Sequence, residues 1–352
     1  MDLKNNKLNA KKRQPVSNTA LLLTITIGIF VAMYVLGMIV WGGGFLNPQQ
    51  FFNIFNNNAY LIIIACGLTI VMISGGIDIS VGGSVALITM TCVCFLENKG
   101  GSVWVSLLIA LGIGLAVGIV QGFFVSYLKI QPFIVTLAGM FFTKGMTTIV
   151  SVNPVTVKAN ELFLKIKEVE IGIPGVGYYT RNGTFIGSYL EIGAIVALVT
   201  VLILWAVLKW TRIGRNFYAV GGNSESALML GINVQRTKFL AYVLCGLLAG
   251  IAGFVYLLHT GAGNASNADG AEMEAIASAI IGGTLLSGGV GSVVGTLFGV
   301  MSLKTINTIV IASGLTQPWW QKITTGLMLC FFILLQSVIL SIRSKKLGNK
   351  AA

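Results

Sequence analysis

Long apolar runs separated by short polar breaks dominate the 352-residue chain. Positions 19–41 pass 23 residues without a charge, and a helix needs about 20 to span a bilayer. A cleaved leader would have an apolar core of only about 7–15 residues followed by a small-residue cleavage site. The run therefore reads as a retained first span. The same periodicity predicts further spans at about 59–76, 81–96, 103–128, 131–152, 185–208, 239–258, 275–286, 290–312 and 319–342. The 275–286 run, short and glycine-rich, is the weakest of these about ten helices. The pattern predicts an all-α, polytopic integral membrane protein. One transmembrane domain covers 19–342, with polar tails at 1–18 and 343–352.

Composition agrees. Only 10% of the residues are charged and 55% are hydrophobic, where soluble domains carry about 25% charged residues. Lipid must be the solvent for most of this surface, and 44 glycines suit closely packed membrane helices. The net charge of +12 does not point to nucleic acid, because the basic residues cluster beside apolar spans. Lys4, Lys7, Lys11, Lys12 and Arg13 precede the first span. Lys209, Arg212, Arg215, Arg236 and Lys238 lie in the 209–238 loop, and Arg343, Lys345, Lys346 and Lys350 end the chain. The positive-inside rule places all three regions in the cytoplasm, together with Lys129. Six expected spans separate the first two regions and four the last two, so both termini fall on the cytoplasmic side. The nearly neutral segment 153–184, with Lys158, Lys165, Lys167 and Arg181 against Glu161, Glu168 and Glu170, suits an external loop.

Several kinds of chemistry are excluded. All five cysteines sit in apolar runs, as small buried hydrophobes do. The single histidine, His259, rules out a histidine-rich metal site, and no metal or other cofactor is expected. The dipeptide Gly-Lys never occurs, so the chain has no phosphate-binding loop of its own. No catalytic constellation is present; a membrane enzyme would need acids or histidines gathered at one membrane face.

One stretch echoes another. Ser74-Gly75-Gly76-Ile77-Asp78-Ile79-Ser80-Val81 is matched, with one residue dropped, by Ser287-Gly288-Gly289-Val290-Gly291-Ser292-Val293. Helices interrupted at corresponding places of two halves mark the substrate path in many transporters; two ordinary tight turns give the same pattern. The first stretch, from Gly67 to Gly82, resembles the GGIDLSVG signature of ribose/xylose-type ABC sugar permeases, in the branched-chain amino acid/ribose permease superfamily. Gly214-Arg215-Asn216, then Ala219-Val220-Gly221-Gly222-Asn223, Glu272-Met273-Glu274-Ala275-Ile276-Ala277 and Ile281–Gly291 resemble further family motifs in the same order. The likeness covers about 59–336. Leu137–Phe142 and Ala219–Asn223 look most like permeases of galactofuranose-type importers.

The resemblance implies a permease subunit that performs no covalent chemistry and moves a simple sugar, galactofuranose or a pentose, across the bacterial cytoplasmic membrane. It implies a separate cytoplasmic ATPase, a second permease copy (identical or paralogous) and an extracytoplasmic sugar-binding protein. It also identifies Asn223, Ser224, Glu225, Ala227, Leu228, Leu230 and Gly231 as a coupling helix that docks on the ATPase. On residues alone, Asn223 or Ser224 suits the N-cap, Glu225 the first turn and Gly231 the stop. Ala227, Leu228 and Leu230 would give a short apolar face, which fits either a protein groove or the membrane surface.

The membrane-depth charges are the other candidates. Asp78, the only acid between Asp2 and Glu97, costs about 2.5–3.5 kcal/mol at the bilayer centre on insertion scales. It either caps the next helix, as Ser80 can also do, or lies on the sugar path. Lys144 and Lys304 either snorkel to an interface or face a polar site. Asp269, Glu272 and Glu274 form an acidic patch on the expected outer side, solvated or in contact with the binding protein or sugar. An ion-coupled secondary transporter, with Asp78 and Lys144 as a proton relay, is the alternative.

The topology is tested by single cysteines at Ser224 and Asn182. On intact cells, an impermeant thiol reagent should label position 182 and spare position 224. The reverse pattern would refute the orientation.

Overall fold

The computed structural model describes residues 18–42, 45–179 and 184–351, with side chains over 22–338. The basic tail, residues 1–17, lies outside the described residues, as do Arg181 and Asn182. The elements in order are α1 (Asn18–Trp41), α2 (Pro48–Ile73), α3 (Val81–Asn98), α4 (Val103–Ser126), α5 (Pro132–Val150), β1 (Val155–Thr156), α6 (Glu161–Lys167), β2 (Glu170–Tyr179) and β3 (Phe185–Glu191). Then come α7 (Ile192–Trp210), α8 (Arg212–Gly222), α9 (Ser224–Met229), α10 (Val234–Thr260), β4 (Ala262–Gly263), α11 (Ala271–Ile281), α12 (Val293–Ala312) and α13 (Pro318–Ala351). Among the described residues, nine helices are long and apolar enough to cross a membrane.

Helix α2 is the centre of the bundle. Asn47 caps it, accepting from the Gln49 N–H at 2.9 Å, and Pro48 occupies the first turn. From Ala59 to Ile73 its side chains are almost all buried, against α7, α10, α11 and α12. Helices α4 and α10 pack through glycines: a Cβ on Gly118 would lie 2.6 Å from the Tyr242 carbonyl oxygen, and one on Gly250 2.8 Å from that of Ala110. In a bilayer, where lipid is as apolar as leucine, such close backbone contact is a main source of helix association.

Two expected spans need correction. The 275–286 run is not a full span: α11 has 11 residues, about 16 Å at 1.5 Å per residue, against a hydrocarbon core of about 30 Å. The crossing is completed by non-helical chain. Strand β4 pairs with β1 beyond the end of α5, whereas a Cβ on Gly283, just past α11, would meet Leu22 near the start of α1 at 2.8 Å. Segment 264–281 therefore joins opposite ends of the bundle. The run at 185–208 is not one helix either. Its first part is β3, paired antiparallel with β2 from Glu170↔Glu191 to Tyr179↔Phe185, and Glu191 ends the strand where α7 begins. The 153–184 segment, expected only as a loop, holds β1, α6 and β2.

Candidate functional site

The two Ser-Gly-Gly breaks meet in space. Helix α2 stops at Ser74, whose hydroxyl donates to the Val71 carbonyl at 2.8 Å, and Gly75 turns the chain with φ +84°. In the second break Gly288 and Gly289 have φ +86° and +74°, values open mainly to glycine. The Gly289 N–H donates to the Ile73 carbonyl at 2.9 Å. A Cβ on Gly288 would lie 3.0 Å from Gly75 Cα and 2.8 Å from the Gly221 oxygen; one on Gly289 would be 2.7 Å from Gly222 Cα. A Cβ on Gly221 would collide with the Ile73 carbonyl, and one on Gly76 would meet the Tyr242 hydroxyl at 2.5 Å. The end of α8 is thus wedged between both breaks, and the Tyr218 hydroxyl adds a bond to the Gly291 carbonyl at 3.0 Å. The echo gave two members of this junction; the third, Gly221-Gly222, was visible only as a dipeptide in a family motif.

Asp78 sits in the α2–α3 loop, 2% exposed. Its Oδ1 accepts the Ser80 N–H at 2.9 Å and the Ser80 hydroxyl lies at 2.7 Å. That hydroxyl is also 3.1 Å from Gln121 Oε1 on α4, so one proton is shared between two acceptors. The Tyr242 hydroxyl of α10 donates to the Ile77 carbonyl at 3.2 Å. Ser80 is the N-cap residue of α3 but makes no side-chain cap bond; Asp78 holds the turn from two residues earlier.

Neither membrane lysine stands alone. Lys144 Nζ is 2.8 Å from Asp269 Oδ1, and Lys304 Nζ is 2.7 Å from Glu274 Oε2. The acidic patch is therefore three separate groups. Asp269 pairs with α5 and Glu274 with α12. Glu272 is buried between them against Gly82, its Oε2 without a hydrogen-bond partner among the described residues. Glu272 and Glu274 occupy the first turn of α11, where the helix dipole favours negative charge. The Lys144 and Asp269 side chains stay 32% and 53% exposed, with Lys144 in the last third of α5. Sequence spacing could not join residues so far apart. It also missed His259 Nδ1, 2.7 Å from Glu191 Oε2, which ties the β-hairpin to α10. Among the described residues no group of His, Cys, Asp or Glu could hold a metal ion.

Helix α9 has the expected caps. Asn223 Oδ1 accepts from the Ser226 N–H at 2.8 Å, Glu225 lies in the first turn, and Gly231 ends the turn with φ +80°. The expected face is wrong in one respect. Ala227 is 2% exposed and packs inward, and its carbonyl accepts from the Ile232 N–H at 3.0 Å. The outward apolar surface is Leu228, Met229 and Leu230, with Met229 87% exposed. Six residues of helix are too few for periodicity to decide which side faces in. A groove of about 620 Å³ runs beside this surface, lined by Lys129, Glu225, Leu228 and Ile232 among others.

The profile of a family described as the branched-chain amino acid transport system permease component matches residues 50–333. The inner membrane ABC transporter permease protein YjfF of Escherichia coli (strain K12) is 39% identical over 89% of this chain and 91% of its own. The fructose import permease protein FruG of Bifidobacterium longum (strain NCC 2705) is 32% identical over 97% and 98%. The ribose import permease protein RbsC of Bacillus subtilis (strain 168) is 32% identical over 88% and 92%. No solved structure matches. A profile that covers most of the chain, and relatives aligned nearly end to end, place the chain in this family: it is a multi-pass permease component of an ABC importer, and a separate ATPase subunit hydrolyses the ATP.

Proposed function

We propose that the chain carries a monosaccharide through the bacterial inner membrane, taking it from an external binding protein and coupling to a cytoplasmic ATPase. Family membership sets aside the ion-coupled alternative. The relatives are named for fructose, ribose and galactose, which supports a simple sugar as cargo; galactofuranose and the pentoses remain the specific sugars suggested by the motifs. The observation that carries the coupling is the wedge: α8 and α9 are one short connected unit, and its Gly221-Gly222 end sits inside the two helix breaks. A push on α9 reaches the membrane without a soft link. Leu228, Met229 and Leu230 are the surface offered to the ATPase groove, and Asn223, Ser224, Glu225, Ala227 and Gly231 hold it in shape.

A second permease, identical or paralogous, covers the α5–α11 face. A half-exposed ion pair is costly against lipid, so Lys144 and Asp269 face either that partner or the water-filled path between the two copies. Lys304 lies off that path, paired with Glu274 beside a separate polar cavity. Asp78 and Ser80 act from beneath it, as the brace that fixes the α2–α3 break.

Two substitutions test these roles. Asn keeps an acceptor at Asp78 Oδ1, whereas Ala leaves the buried Ser80 N–H unpaired at about 1–3 kcal/mol. Asp78→Asn should therefore keep most of the sugar uptake and Asp78→Ala should lose most of it, at equal permease abundance. Failure of Asp78→Asn would put the charge itself on the path. On α9, Met229→Glu places a charge in the docking surface, at a penalty of desolvation. Pull-down of the ATPase with that variant should fall about tenfold, equivalent to about 1.4 kcal/mol, with membrane insertion unchanged. Ala227→Arg should instead lower the amount of folded permease. Parent-level ATPase retention and uptake by Met229→Glu would show that α9 does not dock.

A further inference from the structure

A second polar site lies away from the Lys144 pair. A cavity of about 190 Å³ opens between the first part of α2, the second half of α12 and the start of α13. This is the space of roughly six waters. Its polar lining is almost entirely carboxamide: Asn53, Asn57, Asn58, Asn307 and Gln321 surround Lys304. No carboxylate lines it, and the Lys304 charge is met from behind by Glu274 at 2.7 Å. The lining is therefore rich in hydrogen-bonding groups and close to neutral.

Several of these groups have no partner of their own. Among the described residues, the side chains of Asn57 and Gln321 make no hydrogen bond. Asn307, 5% exposed, uses only Oδ1, which accepts from the Thr324 hydroxyl at 3.4 Å. Asn53 Oδ1 accepts from Gln49 Nε2 at 2.8 Å, which leaves its Nδ2 free to donate. The cavity also coincides with a defect in α2: Asn58 leaves the helical conformation at φ −123° and ψ 17°, and its Nδ2 donates to the Ile54 carbonyl at 2.9 Å. Trp319 and Trp320, exposed at the start of α13, mark the level of a membrane–water interface.

We infer that this amide-lined cavity binds a neutral polyhydroxylated solute at the outer mouth of the permease. A carboxamide both donates and accepts, as a hydroxyl does, so amides satisfy hydroxyls of any orientation. An anion would find the one cation already paired, and an acyl chain would find only Ile54 and Ile311 to cover it. The inference rests on the permease reading and adds a place for the sugar outside the central path. The same hydroxyl-rich chemistry could come from a free sugar or a glycolipid headgroup.

The test uses right-side-out vesicles holding the full permease–ATPase complex, with Cys94 and Cys330 replaced by alanine and Asn57→Cys introduced at the rim. An impermeant maleimide labels that cysteine, with D-ribose, D-fructose or D-galactose present in turn. At least one sugar should slow labelling about tenfold once it stands about tenfold above its Kd. Asn307→Leu in the same background should abolish the protection while the labelling rate without sugar is unchanged; where that variant fails to insert, Gln321→Leu takes its place. No protection by any of the three sugars, or protection that survives these substitutions, overturns the inference. So does labelling that is slow before any sugar is added and speeds up on delipidation, which would mark a glycolipid headgroup. Uptake by the complete importer separates the two readings: protection without uptake keeps the site and sinks the sugar-permease reading, whereas uptake of a sugar that gives no protection does the reverse.

Discussion

Three stretches of backbone approach each other so closely at one point that Gly221, Gly288 and Gly289 have no room for a side chain. Ile73–Gly76, Gly221-Gly222 and Gly288–Gly291 meet there: a Cβ on Gly288 or Gly289 would come within 2.8 Å of the Gly221-Gly222 backbone, and one on Gly221 would collide with the Ile73 carbonyl, while a single backbone hydrogen bond, Gly289 to Ile73, pins two of the stretches. The rest of the arrangement depends on this contact. It stops α2, sets the exit from α11, and seats α8 so that α9 projects from the bundle. A side chain at Gly221, Gly288 or Gly289 would force the segments apart, and interiors this dense pass strain on to their neighbours.

Charge is handled on the short helix α11 and the loop before it. Asp269 and Glu274 reach in opposite directions, to Lys144 of α5 and Lys304 of α12. Each lysine thus carries its own carboxylate partner. In the first turn of the 11-residue α11, Ala271 and Glu272 are buried while Met273 faces out. There its dipole offsets part of the cost of Glu272 and Glu274. The half-length helix, read from the sequence as a weak span, is what brings acids to membrane depth.

Much of this was legible beforehand. The long apolar runs give nine of the helices because lipid-facing helices must be apolar throughout. The caps of α9 were legible because Asn223 and Gly231 act locally. The start of α2 was obscured by the polar stretch Gln49–Asn58, although Asn47 and Pro48 announce it. The strand β3 was absorbed into a helix because Phe185–Leu190 is apolar, although Glu191 interrupts the run. What could not be read were contacts set by tertiary geometry: the pairing of Lys144 with Asp269, the inward turn of Ala227, and the wedging of Gly221 between the two breaks.

The central claim is that the glycine junction transmits motion from α9 to the helix breaks, and Gly221→Ala tests it most directly. The measurement is the ratio of sugar transported to ATP hydrolysed by the complete importer reconstituted in lipid vesicles. One added methyl must displace the Ile73 carbonyl or the whole end of α8. The variant should still retain the ATPase, because Leu228, Met229 and Leu230 are untouched, while its transport-to-hydrolysis ratio falls about tenfold, a coupling loss of about 1.4 kcal/mol. A Gly221→Ala importer with the parent's ratio and the parent's thermal stability would contradict the account.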